Sequence, residues 1–373
     1  MMTTIINSKK LISAKFFLTA AAVLFLGIML LTDSEASGVS VSHSLDICGK
    51  TLIPSLFPFM FLSAFITNSG ILQRDFTLPD KITYKIFGLP GRSAAVFLMS
   101  IIGGYPIGAM MTEKLYSSKA LTVNQANRMM LFCINPSPAF AINAIGFSMF
   151  SSKKTGVIIF VSTVLSNIIL ALFSRCLDDK KRVSVNIHQD ISPGTAITRA
   201  ADTATWGIIK ICAYVILFSV LLSLITSLTQ STGINDFLYG ITEVTLGCER
   251  LSRLNNLPLI SGIVAWGGLA VHFQVFSSIK ETCTDLRLFF TSRILSGALS
   301  VIICDLLLKR FPVDISAVNQ SSTVTLAANE ASFPVSIALL ITCFLFLLGD
   351  YTINNRIRNI NHKHNSVETS EKI

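Results

Sequence analysis

The chain has 373 residues, of which 51% are hydrophobic and only 14% are charged, against about 25% charged residues in an average soluble protein. Its mean hydropathy is +0.63. This composition excludes a soluble multidomain protein, and it excludes a disordered chain, because disordered chains are rich in charge and poor in aliphatic residues. Eight scattered cysteines without CxxC or Cys/His spacing argue against a disulfide framework and against a zinc or redox site. The sequence therefore predicts an all-α polytopic membrane protein embedded in the lipid bilayer.

The net charge of +9 does not indicate nucleic-acid binding, because no basic stretch is interleaved with aromatic residues. Membrane proteins also keep Lys and Arg in their cytoplasmic loops, where these residues set the orientation. The motifs of zinc proteases, serine hydrolases, P-loop proteins and dinucleotide enzymes are missing from the sequence. We therefore expect no enzyme activity, no cofactor, no metal and no nucleic-acid partner.

Nine segments are apolar enough, at about 20 residues each, to cross a membrane. They are Leu11–Leu31, Thr51–Ser69, Ala94–Met111, Met129–Phe150, Thr155–Phe173, Trp206–Leu228, Leu257–Ser278, Leu288–Leu308 and Phe333–Gly349. The first follows two lysines and is interpreted as an uncleaved anchor. The alternative is a signal peptide ending near Ala36, but the apolar run is longer than a signal core.

Two polar stretches, Arg175–Thr205 and Phe311–Ser332, separate these segments. The predicted domains are an N-terminal anchor with its loop (1–43), a first repeat (44–177), a basic cytoplasmic linker (178–205), a second repeat (206–349) and a polar tail (350–373).

The two halves share a pattern in which an apolar helix precedes a double glycine. Gly103 and Gly104 in the first half correspond to Gly267 and Gly268 in the second. We predict that each pair lies at the turn of a re-entrant hairpin, so that each repeat has about three spans and one hairpin. Such repeats are common in transporters.

Charge placement favours hairpins over spans at these glycines. If both segments enter and return on one side, the basic stretches up to Thr205 lie in the cytoplasm, as the positive-inside rule requires. Asp33–Asp46 and a loop with Glu243 and Glu249 then face outside. Each half crosses the membrane an odd number of times, which inverts the second half relative to the first. Lys153 and the basic tail, both outside, fit this arrangement less well.

The first candidate for substrate contact is the sequence G-G-Y-P-I-G, with Gly103, Gly104, Tyr105, Pro106 and Gly108. A break of this kind within an apolar segment is tolerated only where protein or a water-filled cavity surrounds it. We predict a hairpin turn whose main-chain groups meet a substrate. The alternative is a close helix crossing, since small residues also let backbones approach.

The second candidate is C-I-N-P-S-P-A-F-A-I-N, where Pro136 and Pro138 can hardly lie within one continuous helix. We predict an unwound span with Asn135, Ser137 and Asn143 beside the freed carbonyls, as in transporters that hold substrates at broken helices. The alternative is a simple kink sealed by its own polar side chains.

His272, just after the second double glycine, completes the predicted site, although a packing role is an equal alternative. Arg128, Lys210 and Arg293 lie near segment ends, where we expect them to reach the membrane interface. Glu113 is a weaker candidate for coupling a proton or cation to transport.

The first motif, with Gly104, Tyr105, Pro106, Gly108 and Ala109, resembles the G-[YF]-P-x-G-A pattern of the YlbJ-type sporulation integral membrane proteins. The break resembles the same group at Cys133, Asn135, Ser137 and Pro138. These proteins belong to the broader nucleoside-recognition, or Gate, family. The similarity extends roughly over Leu45–Leu308.

This resemblance implies an inverted-repeat fold with hairpins, similar in plan to concentrative nucleoside transporters. It also implies a role in spore formation, where YlbJ-type proteins are linked to passage of the anion dipicolinate across a forespore membrane. The sequence departs from the pattern at Ile107, where Ser or Thr is frequent, and at Met110 and Met111, where Lys is common. The substrate is therefore left open.

The sequence predicts a multi-pass cell-membrane transporter of a small organic solute, anionic and bound at the midplane by backbone amides without a buried Arg. One alternative is a nucleoside carrier, which needs acidic or amide side chains for the ribose. The other is a non-transporting membrane scaffold in spore envelope formation. The oligomeric state is open, a homo-oligomer included.

Overall fold

The computed structural model describes residues 24, 27–28, 30–31 and 33–313, apart from 70–76, 180–191, 228–231 and 280–284. The described residues form helices and no strand. These helices are α1 (Ser34–Asn68), α2 (Thr77–Phe87), α3 (Gly91–Gly103), α4 (Tyr105–Ser117), α5 (Val123–Met130), α6 (Ala139–Phe150), α7 (Lys153–Ser174), α8 (Pro193–Ser227), α9 (Thr232–Thr242), α10 (Val244–Ser252), α11 (Leu257–Trp266), α12 (Gly268–Phe276) and α13 (Leu286–Arg310).

Five of these segments are long and apolar enough to cross a membrane: α1, α7, α8, α13 and the pair α11–α12 taken together. The prediction of an all-α, multi-pass membrane protein is thereby confirmed. Most of the predicted anchor Leu11–Leu31, the last predicted span Phe333–Gly349 and the tail 350–373 lie outside the described residues.

Two spans begin earlier than predicted. Helix α1 begins at Ser34, and α8 begins at Pro193 within the stretch predicted as a linker. Ala196, Ala200 and Ala204 are buried along one face of α8 at a spacing of four residues. This spacing of small residues indicates a helix, although the polar composition of the stretch favoured a linker.

Helix α1 carries one π-helical turn at Cys48–Leu52. Pro54 follows this turn and cannot donate to the carbonyl four residues before it, so a widened turn relieves the clash of its ring. Helix α6 is likewise π-helical over Ala139–Phe147, directly after Pro138.

The predicted segment Ala94–Met111 consists of two helices, α3 and α4, that pack on each other around Gly104. Gly104 has φ +88°, a conformation that favours glycine. Each helix has 13 residues and is about 20 Å long, short of the roughly 30 Å of a bilayer core. We call α3 and α4 hairpin 1; its re-entry on one side of the membrane stays a prediction.

A second pair of short packed helices, α9 and α10, lies where the sequence predicted an outside loop. We call this pair hairpin 2. The helices cross so closely that a Cβ on Gly247 would lie 2.4 Å from the Cα of Gly240. Glu243 stands at the turn between them and is 2% exposed. The predicted loop around Glu243 is instead a buried helical turn, because the two glycines let the helices close over it; its place on the outer side of the membrane stays a prediction.

The Gly267–Gly268 pair is a helix break and not the turn of a hairpin. Helix α11 packs on α7 and α13, whereas α12 packs on α8, α4 and α9. Both glycines have positive φ, +88° and +76°. The predicted equivalence with Gly103 and Gly104 is therefore corrected: the counterpart of hairpin 1 is hairpin 2.

One order of elements consequently occurs twice: a long helix, a hairpin, a broken helix and a long helix. In the first half it is α1, hairpin 1, α5 with α6, and α7; in the second it is α8, hairpin 2, α11 with α12, and α13. Helix α1 packs on α8, and α7 packs on α13. The inverted relation of the two halves stays a prediction.

Candidate functional site

A cavity of about 50 Å³ lies where both hairpins and both broken helices meet. Helices α1 and α8 close its sides with Leu52, Leu56 and Met60, and with Ile211, Tyr214 and Val215. The hairpins contribute residues 103–106 and 243–245, and the broken helices contribute Ser137, Phe140, Ala270, Val271 and Gln274. The cavity is thus built from the turns of both hairpins and from residues beside both helix breaks.

Four helices begin at this cavity. Lining residues lie in the first turn, or within two residues before it, of α4 (Tyr105, Pro106), α6 (Ser137, Phe140), α10 (Val244, Thr245) and α12 (Ala270, Val271). The first N–H groups of a helix have no partner within it, and the helix dipole places partial positive charge there. These helix starts therefore place partial positive charge beside the cavity, and no Lys or Arg is found among its described lining residues.

Five of the residues predicted from the first two motifs line the cavity: Gly103, Gly104, Tyr105, Pro106 and Ser137. The turn of hairpin 1 touches the first break, since a Cβ on Gly104 would lie 3.3 Å from that of Ser137. The structure therefore brings both predicted motifs together.

The remaining predicted residues of the first half lie outside the cavity lining. Gly108 packs on the break so tightly that a Cβ there would lie 1.8 Å from the carbonyl oxygen of Cys133. Asn143 is exposed on α6. Asn135 is fully buried behind the cavity, donating to Ser100 Oγ (2.8 Å) and accepting from Asn167 Nδ2 (2.9 Å).

In the second half, Gly267 and Gly268 lie next to the hairpin turns without lining the cavity. A Cβ on Gly267 would be 3.7 Å from the Tyr105 ring, and one on Gly268 would be 3.0 Å from the main-chain nitrogen of Val244. These glycines therefore let α12 approach both hairpins.

His272 is 1% exposed and packed among aromatic rings rather than facing the cavity. Its Nε2 lies 2.9 Å from the carbonyl oxygen of Trp266, whose ring centroid is 4.4 Å from the imidazole. Phe289 and Phe290 lie at 5.3 Å on α13. These contacts favour the packing interpretation.

Two arginines that were expected at the membrane interface are buried. Arg293 has no exposed surface and donates to the carbonyl of Ile134 (2.9 Å) and to that of Leu131. Arg128 is 1% exposed and pairs with Asp178 at 2.9 Å. The expectation that Arg128 and Arg293 reach the membrane interface is thus wrong, because buried carbonyls require donors and a guanidinium supplies five. Lys210 is exposed.

Four polar side chains of the cavity were not among the predicted site residues: Tyr214, Glu243, Thr245 and Gln274. Glu243 Oε2 accepts a 2.7 Å hydrogen bond from the N–H of Leu246 and so caps α10. Gln274 is 4% exposed, and its Nε2 has no hydrogen-bond partner among the described residues. A capping signal was present in the sequence, since an acidic residue stands before Val244–Ser252.

A metal site finds no support in the described chain, which holds no group of three or more His, Cys, Asp or Glu side chains that could bind one.

Comparison with known proteins agrees with the two motifs. Residues 50–171 match the model of the Gate family, described as nucleoside recognition. The chain is therefore similar to the Gate family over about a third of its length. The match spans most of α1, hairpin 1, the first break and most of α7, whereas hairpin 2 lies beyond it.

The chain is also similar to the sporulation integral membrane protein YlbJ of Bacillus subtilis (strain 168). The two are 24% identical over 336 residues, which cover 78% of this chain and 82% of the relative. The resemblance predicted from the two motifs is therefore confirmed. No solved structure matches the chain.

Proposed function

We propose that this protein is a membrane transporter of a small organic anion, which binds in the cavity between the hairpins. The observation that carries the proposal is the convergence of four helix N-termini on one buried space. Half-helix ends that point at a central site are a recurrent way of holding charged substrates in transporters. Backbone dipoles can bind an anion without the cost of burying a free cation.

The lining favours a flat, partly apolar anion. Tyr105, Phe140 and Tyr214 line the cavity, and the Tyr105 and Phe140 rings meet edge to face with centroids 6.2 Å apart. Aromatic faces pack against planar rings, while the helix ends suit carboxylates. An aromatic dicarboxylate such as dipicolinate fits this chemistry, and the similar protein YlbJ is named for sporulation. We therefore propose dipicolinate as the first substrate to test, and a forespore membrane as the location.

The cavity volume of about 50 Å³ has room for one or two water molecules, since a water molecule occupies about 30 Å³ in the liquid. An aromatic dicarboxylate is larger, so its binding requires the hairpins to move apart from α1 and α8. A structure that must open to bind is expected for alternating access, in which a site is exposed to each side in turn.

A nucleoside carrier is the second candidate, and Glu243 and Gln274 are the observation that favours it. These side chains supply the carboxylate acceptor and amide donor that a ribose requires. Against it, the cavity holds a single carboxylate and a single amide, and its other polar side chains are the hydroxyls of Ser137, Thr245 and two tyrosines.

Transport of the purified protein in liposomes tests these alternatives. Liposomes loaded with unlabelled dipicolinate should take up labelled dipicolinate by counterflow, and uridine in excess should not compete. Ala270→Leu adds bulk to the cavity lining and should lower uptake about tenfold, because overpacking costs about 1–3 kcal/mol. Ala298→Leu, on the exposed face of α13, is the matched control and should transport normally.

Two results would contradict the proposal that the protein transports dipicolinate. Uptake of labelled uridine without dipicolinate would establish the nucleoside carrier. If neither solute enters, and Pro136→Ala with Pro138→Ala still supports sporulation, the scaffold interpretation is favoured.

A further inference from the structure

The cavity contains one carboxyl group that lacks a cationic partner in the described chain. Glu243 is 2% exposed and lines the cavity. The ion pairs formed by the described residues all lie elsewhere, the nearest along the sequence being His43 with Glu249 and Arg250 with Asp236. A carboxylate buried without a cation is costly, by several kcal/mol, so its charge state requires an explanation.

Two opposing effects act on this carboxyl group. The N–H of Leu246 donates to Oε2 at 2.7 Å, and the start of α10 adds the positive end of a helix dipole, both of which favour the carboxylate. Burial favours the protonated acid. No full positive charge lies beside the carboxyl group to hold it in the ionised form. Glu243 can therefore be either ionised or protonated.

The titratable groups around Glu243 do not provide a positive charge that would pair with its carboxylate. Tyr105 on α4, Cys48 on α1 and Cys248 on α10 are close enough to interact with it electrostatically. Glu249, also on α10, is a further negative neighbour. The elements packed on hairpin 2 add Cys212 and Tyr214 on α8, His272 on α12, and Asp236 and Tyr239 on α9 itself; α11 carries no titratable side chain.

An anion in the cavity would be repelled by the carboxylate. Two unit charges about 4 Å apart cost about 4 kcal/mol at an effective dielectric constant of 20, enough to weaken binding by nearly three orders of magnitude. A proton on Glu243 removes this repulsion and converts the group into a hydrogen-bond donor. Gln274 Nε2, buried and unpartnered among the described residues, offers a second donor in the same cavity.

We infer that Glu243 couples transport to protons, binding one proton with each anion that enters the cavity. The inference rests on the proposed function. Glu243 takes a proton from the side to which the cavity is open, and its O–H donates to a carboxylate oxygen of the anion. On the opposite side the anion leaves, the proton follows it into water, and the carboxylate forms again.

The test compares Glu243→Gln with Glu113→Gln in liposomes whose membrane potential is clamped to zero. Glu113, the other acidic residue considered for coupling, lies on α4 outside the cavity lining. A gradient of about one pH unit, alkaline inside, should let the wild type and Glu113→Gln accumulate dipicolinate about tenfold, since one proton moves with each anion. Glu243→Gln should exchange dipicolinate at a rate that no longer depends on pH and should not accumulate it.

Accumulation by Glu243→Gln in response to the pH gradient would overturn the inference. Accumulation by the wild type that follows a sodium gradient and ignores the pH gradient would overturn it as well, in favour of a cation site.

A second measurement does not depend on transport. Infrared difference spectra of the purified protein, recorded over acidic to neutral pH with and without dipicolinate, report the protonated carboxyl of Glu243 by comparison with Glu243→Gln. A dipicolinate-induced protonated band that Glu243→Gln lacks supports the inference. If dipicolinate binds and Glu243 stays ionised throughout, proton coupling at this residue is excluded while anion binding stands. If dipicolinate neither binds nor exchanges, the proposed function fails first and the coupling inference with it.

Discussion

Arg293 donates a 2.9 Å hydrogen bond to the main-chain carbonyl of Ile134, a residue 159 positions earlier in the chain. The same guanidinium reaches the carbonyl of Leu131 and lies 3.3 Å from Asn167 Oδ1. Residues 131–137 are not helical, so the carbonyls of Leu131 and Ile134 lack helical partners inside an apolar fold. A side chain from the second half of the chain therefore stabilises the break in the first half.

Replacing Arg293 should destabilise the protein strongly. Arg293→Met leaves the buried carbonyl of Leu131 without a donor and that of Ile134 with only a 3.3 Å hydrogen bond from Asn167, at about 1–3 kcal/mol for an unsatisfied group. Arg293→Lys should restore only part of the loss, because an ammonium group cannot match the spread of donors of a guanidinium. The measurement is the thermal midpoint of the detergent-solubilised protein. Arg287→Met, on the exposed surface of the same helix, is the control; equal midpoints for the two Met variants would contradict this role.

Gly108→Ala should prevent hairpin 1 from seating on the first break. The new Cβ would lie 1.8 Å from the carbonyl oxygen of Cys133, and a main-chain atom cannot move aside as a flexible side chain can. Gly38→Ala on α1 is the matched substitution, since a Cβ there has nothing within 4 Å. We expect Gly108→Ala to abolish uptake and lower the thermal midpoint. Gly38→Ala should be neutral or stabilise by about 0.5–1 kcal/mol. Similar behaviour of both variants would show that the close approach is unimportant.

Arg128 should stabilise the packing of α2, α5 and α7 where these three helices meet. It donates to Ser174 O at 2.9 Å, to Gly88 O at 3.1 Å and to Phe87 O, and it pairs with Asp178 at 2.9 Å. Burial lowers the pKa of the Arg128 guanidinium, and the charge of Asp178 opposes this effect. Removing Asp178 therefore leaves a buried cation with only the weaker effect of Asp179 to compensate it.

Asp178→Asn should lower the free energy of unfolding by about 1–3 kcal/mol. Asp202→Asn, at an exposed position of α8, should not change it. A double-mutant cycle with Arg128→Met measures the coupling between the two side chains, and strict additivity of the two changes would argue against the ion pair.

Cysteine labelling should decide whether the hairpins re-enter. On a background without the eight native cysteines, single cysteines at Lys85 and Ser118 flank hairpin 1 at exposed positions. If hairpin 1 returns to the side it left, an impermeant thiol reagent should reach both positions only after lysis. Asn255, which follows hairpin 2, should react in intact cells. Reaction of Ser118 but not Lys85 in intact cells would mean that the hairpin segment spans the membrane.

Composition and apolar run length were sufficient to predict the membrane class and most of the long helices. Gly104, Pro136 and Pro138 were recognised as breaks because local chemistry alone forbids a continuous helix there. Hairpin 2 was missed, since Gly240 and Gly247 are isolated glycines whose meaning depends on the packing of two helices. The buried positions of Arg128 and Arg293 were also missed. A charged residue near the end of an apolar segment is expected at the membrane interface unless the carbonyls to which it donates are known. Glu243 is the most consequential omission: an acidic residue in a short polar loop carries no local sign that it faces a cavity.

The π-helical turn at Cys48–Leu52 has a consequence for how α1 tolerates changes in chain length. A π-turn accommodates one residue more than the surrounding α-helix requires. Deleting one residue there would convert the turn to an ordinary α-helical one and leave the two flanking segments facing as before. A deletion elsewhere in α1 would instead rotate one end by about 100° and turn its buried face toward lipid. In relatives of different length, the gain or loss of a residue is therefore expected at this turn first.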